Sequence, residues 1–295
     1  MQKALMLKGG IDKQQKYKFD FLNQFSMRHS WIFGEKLEYI YKAHVLIVGV
    51  GGIGSSVAYF LARYGVGHIT LIDPDVVEPH NLNRQYFFYE DIGIPKVFAV
   101  KKLLKNINPF ICVDVYQKKL QDIPRDRLHK LVREATLIVD AMDEHIAKIY
   151  LNRMAEKMKK IVIHAHSCGF KSTITVFMPG GPYYEETFGI PTRHIPMSKI
   201  SSRDVDRYIK FAVRKICSGV LPKVTVEKIV KGEIPMQISV PPTTIGGVIV
   251  STEAIKIIIG RDELVIRAPR MLLIDPWRHE YKVINIRPFS NIQER

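Results

Sequence analysis

Residues 44–73, the segment most informative about the fold, read HVLIVGVGGIGSSVAYFLARYGVGHITLID. The segment begins with a continuous apolar run, Val45–Val48, which is typical of a strand buried on both faces of a parallel sheet. A glycine-rich turn, Gly49–Gly54, follows at once, and an apolar helical stretch then runs to Gly65. A second apolar strand ends on Asp73. This order of strand, turn, helix and strand predicts one βαβ unit.

The same alternation continues along the chain. Helices are predicted around Lys96–Asn106 and Pro124–Glu134, and strands at Phe110–Tyr116 and Leu137–Asp140. Strands that alternate with helices favour a parallel sheet covered by helices on both faces. The predicted fold class is therefore α/β, a Rossmann-like doubly wound sheet.

The pattern changes after Ile161 and predicts a mixed sheet in the second half of the chain. The predicted elements there are the strands Ile161–His166, Ser172–Met178, Met271–Asp275 and Tyr281–Arg287, the loops Pro179–Ser202 and Gly232–Pro242, and the helices Asp204–Cys217 and Gly246–Gly260. Residues 1–43 show no strand alternation and are predicted to form a helical arm. Residues 44–295 then form one domain, and its second half, 161–295, carries the substrate-facing loops.

The composition excludes several classes of protein. Of the 295 residues, 46% are hydrophobic and 25% are charged, as in an ordinary globular protein. The net charge of +15 would attract phosphates, nucleic acid or an acidic protein, although a lysine-rich thermophile would show it without any partner. The chain shows no signal-peptide pattern at its start and no apolar run long enough to span a bilayer. We therefore expect a cytoplasmic protein with no membrane partner.

The glycine-rich turn is a candidate nucleotide-binding site because it lies between a buried strand and a helix. Glycines let the backbone approach an anion closely, and the first turn of the helix offers free N–H groups. An acidic residue at the end of the next strand, here Asp73, suits the hydroxyls of a ribose. The glycines of the turn are Gly49, Gly51, Gly52 and Gly54.

A dehydrogenase is the usual interpretation of such a turn, but the segment after the second strand favours a triphosphate. Asn81-Leu82-Asn83-Arg84-Gln85 brings amides and a cation to the crevice, and Lys96 adds a second cation. Arg84 and Lys96 would stabilise the charge that develops as pyrophosphate leaves. An NAD-binding oxidoreductase remains the alternative.

Further motifs continue this pattern. They are Gly65-Val66-Gly67, Asp73-x-Asp75-x-Val77-Glu78, Asp91-Ile92-Gly93-x-Pro95-Lys96, Asn108-Pro109 and Asp140-Ala141-Met142-Asp143. With the glycine turn and the Asn81–Gln85 segment, they resemble the ThiF/MoeB family of the ubiquitin-activating-enzyme superfamily. The resemblance implies an ATP-dependent adenylyltransferase that uses magnesium. Its substrate would be the C-terminal glycine carboxylate of a small ubiquitin-like or sulfur-carrier protein, and pyrophosphate would be released.

The resemblance also implies roles for individual residues. Asp73 would hold the ribose, and Asp143 would bind magnesium as a hard carboxylate ligand. Arg28 lies where the family has an arginine that reaches the ATP of the other subunit, so the active unit would be a homodimer. Asn81, Arg84 and Lys96 would contact the phosphates, and Asn83 and Gln85 belong to the same nucleotide-binding segment.

The cysteines depart from the pattern of the sulfur-carrier activators. The CxxC pairs that commonly hold zinc there are absent, so we expect no structural zinc. The three cysteines also argue against a disulfide framework, and Cys112 and Cys168 are interpreted as structural. Cys217 lies roughly where relatives have a thioester-forming cysteine, and its basic neighbours would lower its pKa. A packed, unreactive Cys217 is the alternative.

Two further interpretations keep the fold and change the function. Some relatives adenylate a carboxylate on a modified tRNA base, and the basic composition is compatible with a tRNA partner. A non-catalytic partner subunit would also keep the fold. The combined presence of Asp73, Arg84, Lys96 and Asp143 argues against the second interpretation, because such a subunit has no physical need of all of them.

Overall fold

The computed structural model describes residues 13–286 and residue 288. Residues 1–12 of the predicted arm and Arg287 of the last predicted strand lie outside the described residues. The described chain forms an eight-stranded sheet in the order β3-β2-β1-β4-β5-β6-β7-β8. Its strands are β1 His44–Val48, β2 His68–Ile72, β3 Cys112–Tyr116, β4 Leu137–Asp140, β5 Val162–Cys168, β6 Lys171–Phe177, β7 Arg270–Asp275 and β8 Glu280–Asn285.

Helices precede the sheet, connect its strands and cover its faces. They are α1 Lys13–Phe25, α2 Ser30–Phe33, α3 Leu37–Lys42, α4 Gly52–Tyr64, α5 Lys96–Ile107, α6 Arg125–Glu134, α7 His145–Lys157, α8 Tyr184–Phe188, α9 Ser202–Cys217, α10 Lys223–Val230 and α11 Val240–Ile258. The first three form the described part of the predicted arm. No helix in residues 13–286 is long and apolar enough to cross a bilayer.

The topology explains where a ligand can bind. Strands β3, β2, β1, β4 and β5 are parallel, and β6, β7 and β8 continue the sheet in antiparallel pairings. Strands β2 and β3 lie on one side of β1, and β4 and β5 lie on its other side. The strand order therefore reverses between β1 and β4, and a crevice opens at the carboxyl ends of these two strands. This mixed, doubly wound sheet confirms the fold class predicted from the sequence.

Two apolar layers hold the helices against the sheet. Residues of α4, α5 and α11 pack with Val45 and Ile47 on one face of β1. Residues of α6, α7 and α9 pack with Leu46 and Val48 on the other face. Alternate side chains of a strand point to opposite faces, and all five residues of β1 are buried, as the continuous apolar run predicts.

The second half differs from its prediction in three places. Helix α10 was not predicted. Helix α11 begins at Val240 rather than at Gly246, because the prolines in its first turn have no intrahelical hydrogen bond to lose. The predicted loop Pro179–Ser202 contains α8. Arg153 anchors this segment with two hydrogen bonds to Glu185, at 2.8 and 2.7 Å, and further bonds to the carbonyls of Thr192 and Ile195.

Candidate functional site

A cavity of about 570 Å³ lies at the carboxyl ends of the parallel strands. Val48 at the end of β1 and Ile72 at the end of β2 form its floor, and the segment before α7 forms one wall. Ile238, which precedes α11, and Thr243, in the first turn of α11, also line the cavity. The second half of the chain therefore contributes to the same cavity as the glycine turn.

The glycines of the turn have two different roles. Some are required because the backbone packs closely there, and one faces open space. Gly49 has φ +87°, and a Cβ there would lie 2.5 Å from the carbonyl oxygen of Ala141. A Cβ on Gly54 would lie 1.9 Å from the carbonyl oxygen of Gly49, so Gly54 allows helix and turn to pack. A Cβ on Gly51 would meet nothing within 4 Å. Gly49, Gly51 and Gly52 line the cavity, and Gly54 does not.

Asp73 holds the glycine turn against the end of β2. Its carboxylate accepts hydrogen bonds from the backbone N–H of Val50 at 2.6 Å and of Asp75 at 2.9 Å. Burial raises the pKa of Asp73 above its ordinary value, although the Val50 N–H and the charge of Lys96 counteract this. Asp73 lines the cavity, but its side chain also serves the backbone of the turn.

Lys96 brings a buried cation to the cavity. It is the first residue of α5, and its Nζ lies 2.8 Å from a carboxylate oxygen of Asp75. The lysine side chain is 8% exposed, whereas that of Asp75 is 60% exposed. Because one partner of this ion pair faces solvent, Lys96 can exchange it for the oxygen of an anionic ligand at little desolvation cost.

The Asn81–Gln85 segment contributes unequally. Arg84 and Gln85 line the cavity, and the Oε1 of Gln85 is buried with no hydrogen-bond partner in the described part of the chain. Asn81 also lines it, but its Oδ1 accepts the N–H of Glu78 and caps a short helical turn. Asn83 lies outside the cavity lining, and its Oδ1 accepts a hydrogen bond from Arg84 at 2.9 Å. Asn83 therefore acts on the site through its hydrogen bond to Arg84.

Asp143 is exposed and lines the cavity in the segment between β4 and α7. The residue that caps α7 is Glu144, which accepts the N–H groups of Ile146 at 3.0 Å and Ala147 at 3.1 Å. Asp143 therefore does not cap this helix. His166 lines the same cavity, and burial lowers the pKa of His166 to about 4, although the charge of Asp143 counteracts this.

A buried polar network supports the Asp143 wall. Asp140, at the end of β4, accepts hydrogen bonds from Lys148 Nζ at 3.2 Å and Asn152 Nδ2 at 3.3 Å, and His164 Nδ1 lies 3.1 Å away. Burial alone would raise the pKa of Asp140, but the Lys148 charge and the His164 contact hold it well below its usual range. The backbone N–H of Met142 also points to Asp140, at 3.4 Å.

Sequence reasoning missed part of the cavity lining. Lys118, Lys119 and Gln121 follow β3 and line the cavity beside Met142. Their position directly after a predicted strand could have indicated this, since residues that follow parallel strands at their carboxyl ends meet at one edge of the sheet. Thr243 could not be foreseen, because only the tertiary fold brings α11 beside the turn, where its Oγ1 lies 3.3 Å from the carbonyl of Arg84.

Cys217 is not available as a nucleophile in this structure. It forms a disulfide with Cys168, although the two are separated by 49 residues, and its side chain is fully buried. The sequence argued only against a disulfide framework and did not predict this single bond. The pairing could not be predicted from the sequence, because it depends on how the end of α9 packs beside the end of β5. Cys112 is the free and exposed cysteine.

Arg28 also lies away from the cavity of its own chain. It is exposed in the turn between α1 and α2 and is absent from the cavity lining. Around it the arm exposes large apolar side chains, namely Met27 at 63%, Trp31 at 96% and Ile32 at 76%.

Comparison with known proteins points to one family. The model of the ThiF family matches residues 26–293. A sulfur carrier protein adenylyltransferase from Thermus thermophilus is 31% identical over 144 residues, which are 48% of this chain and 52% of that protein. The molybdopterin-synthase adenylyltransferase of Haemophilus influenzae is 31% identical over 145 residues, 48% of this chain and 58% of that protein. The chain thus matches about half the length of these curated relatives.

Solved structures share the fold. A crystal structure of E. coli MccB with ATP superposes with a TM-score of 0.66 at 20% identity, covering 95% of this chain and 80% of that chain. PaaA gives a TM-score of 0.63, also at 20% identity, and covers 95% of this chain and 76% of that chain. At these identities the likeness concerns the fold.

Proposed function

The chain belongs to the ThiF family, and we propose that it uses ATP to adenylate a carboxylate, releasing pyrophosphate. The observation that carries the proposal is the convergence of Gly51, Arg84, Lys96 and Asp143 on one cavity. The cavity therefore combines open space beside a glycine turn with two cations and an exposed carboxylate. These are the groups that a nucleoside triphosphate and its metal ion require.

The residues present fit ATP. The position of Gly51 leaves room for phosphate oxygens to approach the first turn of α4, where backbone N–H groups are free. Lys96 and Arg84 would face the β- and γ-phosphates. The buried, unpartnered Oε1 of Gln85 can accept a hydrogen bond from the nucleotide. Lys118 and Lys119 give the cavity a further cationic wall.

The residues present also fit magnesium. This ion prefers one or two protein carboxylates together with phosphate oxygens and water, and Asp143 supplies one exposed carboxylate at the cavity. Asp140 is occupied by Lys148, Asn152 and His164 and is not offered for this role. When bound, the ion neutralises phosphate charge as the leaving group departs.

The reaction needs positioning more than proton transfer. A C-terminal carboxylate is already ionised at neutral pH, so its oxygen attacks the α-phosphorus directly while the bond to the β-phosphate oxygen breaks. Arg84 and Lys96 stabilise the charge that moves onto pyrophosphate. Asp73 keeps the glycine turn in register with β2 through the N–H of Val50 and remains available at the cavity for the ribose.

The carboxylate we propose is the C-terminal glycine of a small ubiquitin-like or sulfur-carrier protein. Relatives named as a sulfur carrier protein adenylyltransferase and a molybdopterin-synthase adenylyltransferase support this substrate class. The net charge of +15 would speed the encounter with an acidic carrier. Residues 44–295 would form the adenylation domain, with the segments after residue 161 facing the carrier. Since the reaction consumes ATP, we place it in the cytoplasm.

We further propose that the active unit is a homodimer. The exposed apolar side chains Met27, Trp31 and Ile32 favour a protein contact at the arm, and Arg28 lies among them without reaching its own cavity. Arg28→Ala and Asp143→Asn should each be inactive alone. When the two variants are co-expressed and pair at random, half of the dimers are mixed. If Arg28 serves the partner's site, each mixed dimer has one intact site of its two, so about a quarter of the wild-type activity returns. No restoration would contradict a shared site.

ATP–pyrophosphate exchange tests the proposed reaction. The assay contains magnesium and small proteins ending in Gly-Gly or, separately, tRNA from the same organism. We expect exchange that requires one such protein and is lost in Lys96→Met, whereas Lys101→Met, on the same helix, keeps it. Exchange with tRNA alone would overturn the choice of substrate and favour the tRNA-modifying interpretation. Absence of exchange with either, despite ATP binding, would overturn adenylation of both classes.

A further inference from the structure

Three potential metal ligands meet at the amino-terminal edge of the sheet, away from the cavity. His68, the first residue of β2, pairs in register with Cys112, the first residue of β3. Asp114 lies two residues beyond Cys112 and therefore on the same face. Their ligand atoms all lie within 4.8 Å of one another, and His68 Nε2 is 3.0 Å from Asp114 Oδ2.

The chemistry of these ligands is selective. An imidazole, a thiolate and a carboxylate together suit zinc and similar borderline-soft ions, whereas magnesium and calcium prefer oxygen ligands alone. Cys112 is a free and exposed thiol, and the side chains of His68 and Asp114 are 29% and 48% exposed. Because β3 is the edge strand of the described sheet, an ion can reach the cluster without opening the fold.

A second layer orients the histidine. The ring of His44 stacks on that of His68 with centroids 3.7 Å apart and planes 7° apart. His44 Nε2 is in turn 2.8 Å from Thr70 Oγ1, which fixes the stacked ring. Such outer contacts hold ligands in place before an ion arrives. The cluster is thus built on two hydrogen-bonded strands and a locked ring.

We propose that His68, Cys112 and Asp114 bind a zinc-class divalent ion, with a fourth position left to water or an external ligand. The site is independent of adenylation, because the cavity lies at the opposite ends of β1 and β2. It also differs from the CxxC zinc site of the resembling enzymes, which this sequence lacks. Binding releases the thiol proton to solvent and replaces the hydrogen bond between His68 and Asp114.

Cobalt(II) titration of the chelator-treated, non-reduced protein tests the site. We expect one equivalent to bind with a thiolate-to-cobalt charge-transfer band in the near ultraviolet, and zinc to displace it. Cys112→Ser should abolish the band. Asp114→Asn and His68→Gln should each weaken binding at least about tenfold. His194→Gln, which changes an exposed histidine elsewhere, should leave both band and affinity unchanged.

Several outcomes would overturn the proposal. They are a missing band, a band that persists in Cys112→Ser, and equal affinities in Asp114→Asn and His194→Gln. A second measurement guards against a misfolded variant. Zinc should raise the melting temperature of the wild-type protein and of His194→Gln but not that of Cys112→Ser, since an ion that binds only the folded state stabilises it. Equal shifts in all three proteins would also contradict the site.

Discussion

The ammonium nitrogen of Lys148 lies 3.2 Å from a carboxylate oxygen of Asp140, with 2% of the lysine side chain and none of the aspartate exposed. The same carboxylate receives the N–H of Met142, next to Asp143. This buried ion pair therefore holds the backbone that presents Asp143 to the cavity. Removing one partner of such a pair leaves an uncompensated charge.

Lys148→Met should lower the free energy of unfolding by about 3–5 kcal/mol, because Asp140 is left buried without its cation. Lys157→Met, on the exposed face of the same helix, should change it by less than about 0.5 kcal/mol. Urea unfolding at neutral pH measures both values. If the double variant Asp140→Asn/Lys148→Met is no more stable than Lys148→Met alone, the charge-based explanation is wrong.

The glycine turn gives a paired prediction. Gly51→Ala should fold normally but bind ATP at least about tenfold more weakly, since the new methyl group enters the open space assigned to phosphate. Gly54→Ala should instead destabilise the fold, by about 3 kcal/mol, because its Cβ would lie 1.9 Å from the Gly49 carbonyl oxygen. Thermal unfolding and nucleotide titration distinguish the two. Normal ATP affinity in Gly51→Ala would contradict the proposed phosphate position.

The disulfide predicts a specific pattern of thiol reactivity. Under non-reducing conditions one thiol, Cys112, should react with maleimide both before and after denaturation, and three should react after reduction. Closing a loop of 49 residues stabilises the folded state by about 4 kcal/mol in the chain-entropy description. Cys168→Ser should therefore lower the melting temperature. Three reactive thiols in the denatured, unreduced protein would refute the pairing.

Three histidines that the fold removes wholly or partly from solvent predict a loss of stability in mild acid. Burial lowers the pKa to about 4 for His44, about 3 for His145 and about 4 for His166. The ordinary histidine pKa is about 6.5, so below that pH the unfolded chain binds protons that the folded chain does not. The contribution of these histidines to the free energy of unfolding is therefore fully present above pH ~6.5, and it declines as the pH falls towards about 4.

Replacing one of these histidines should reduce that decline. Between pH 6 and pH 5, His145→Gln should lower the slope of unfolding free energy against pH by about 1 kcal/mol per pH unit. His194→Gln, which replaces an exposed histidine, provides the control. Chemical unfolding at several pH values measures the slopes. Identical slopes for His145→Gln and the wild-type protein would show that His145 is not held neutral by the fold.

The sequence was most informative where local pattern and tertiary position coincide. The apolar run Val45–Val48 and the glycines after it predicted strand, turn and helix, because a buried parallel strand and a phosphate-type turn each have few alternatives. The position of Lys96 at the start of α5 and at the cavity also followed from the motif that contains it.

Other parts of the site depend on contacts between distant segments. The pairing of Cys168 with Cys217, and the approach of Thr243 to Arg84, leave no local pattern. Lys148 looks like an ordinary cation on an amphipathic helix until the fold places it beside Asp140. Local propensity describes single elements, and it does not specify which buried charges meet between them.

The mass of the carrier after incubation with ATP and magnesium reports the proposed adenylation directly. With the wild-type protein we predict that a Gly-Gly-ending carrier gains one AMP at its C-terminal carboxylate, that a carrier lacking the terminal glycine gains none, and that Asp143→Asn abolishes the adduct while retaining its fold. An adenylate that forms equally well with Asp143→Asn would contradict the metal role of that residue. Unchanged masses for every such carrier, with ATP bound, would contradict the proposed adenylation of a carrier carboxylate.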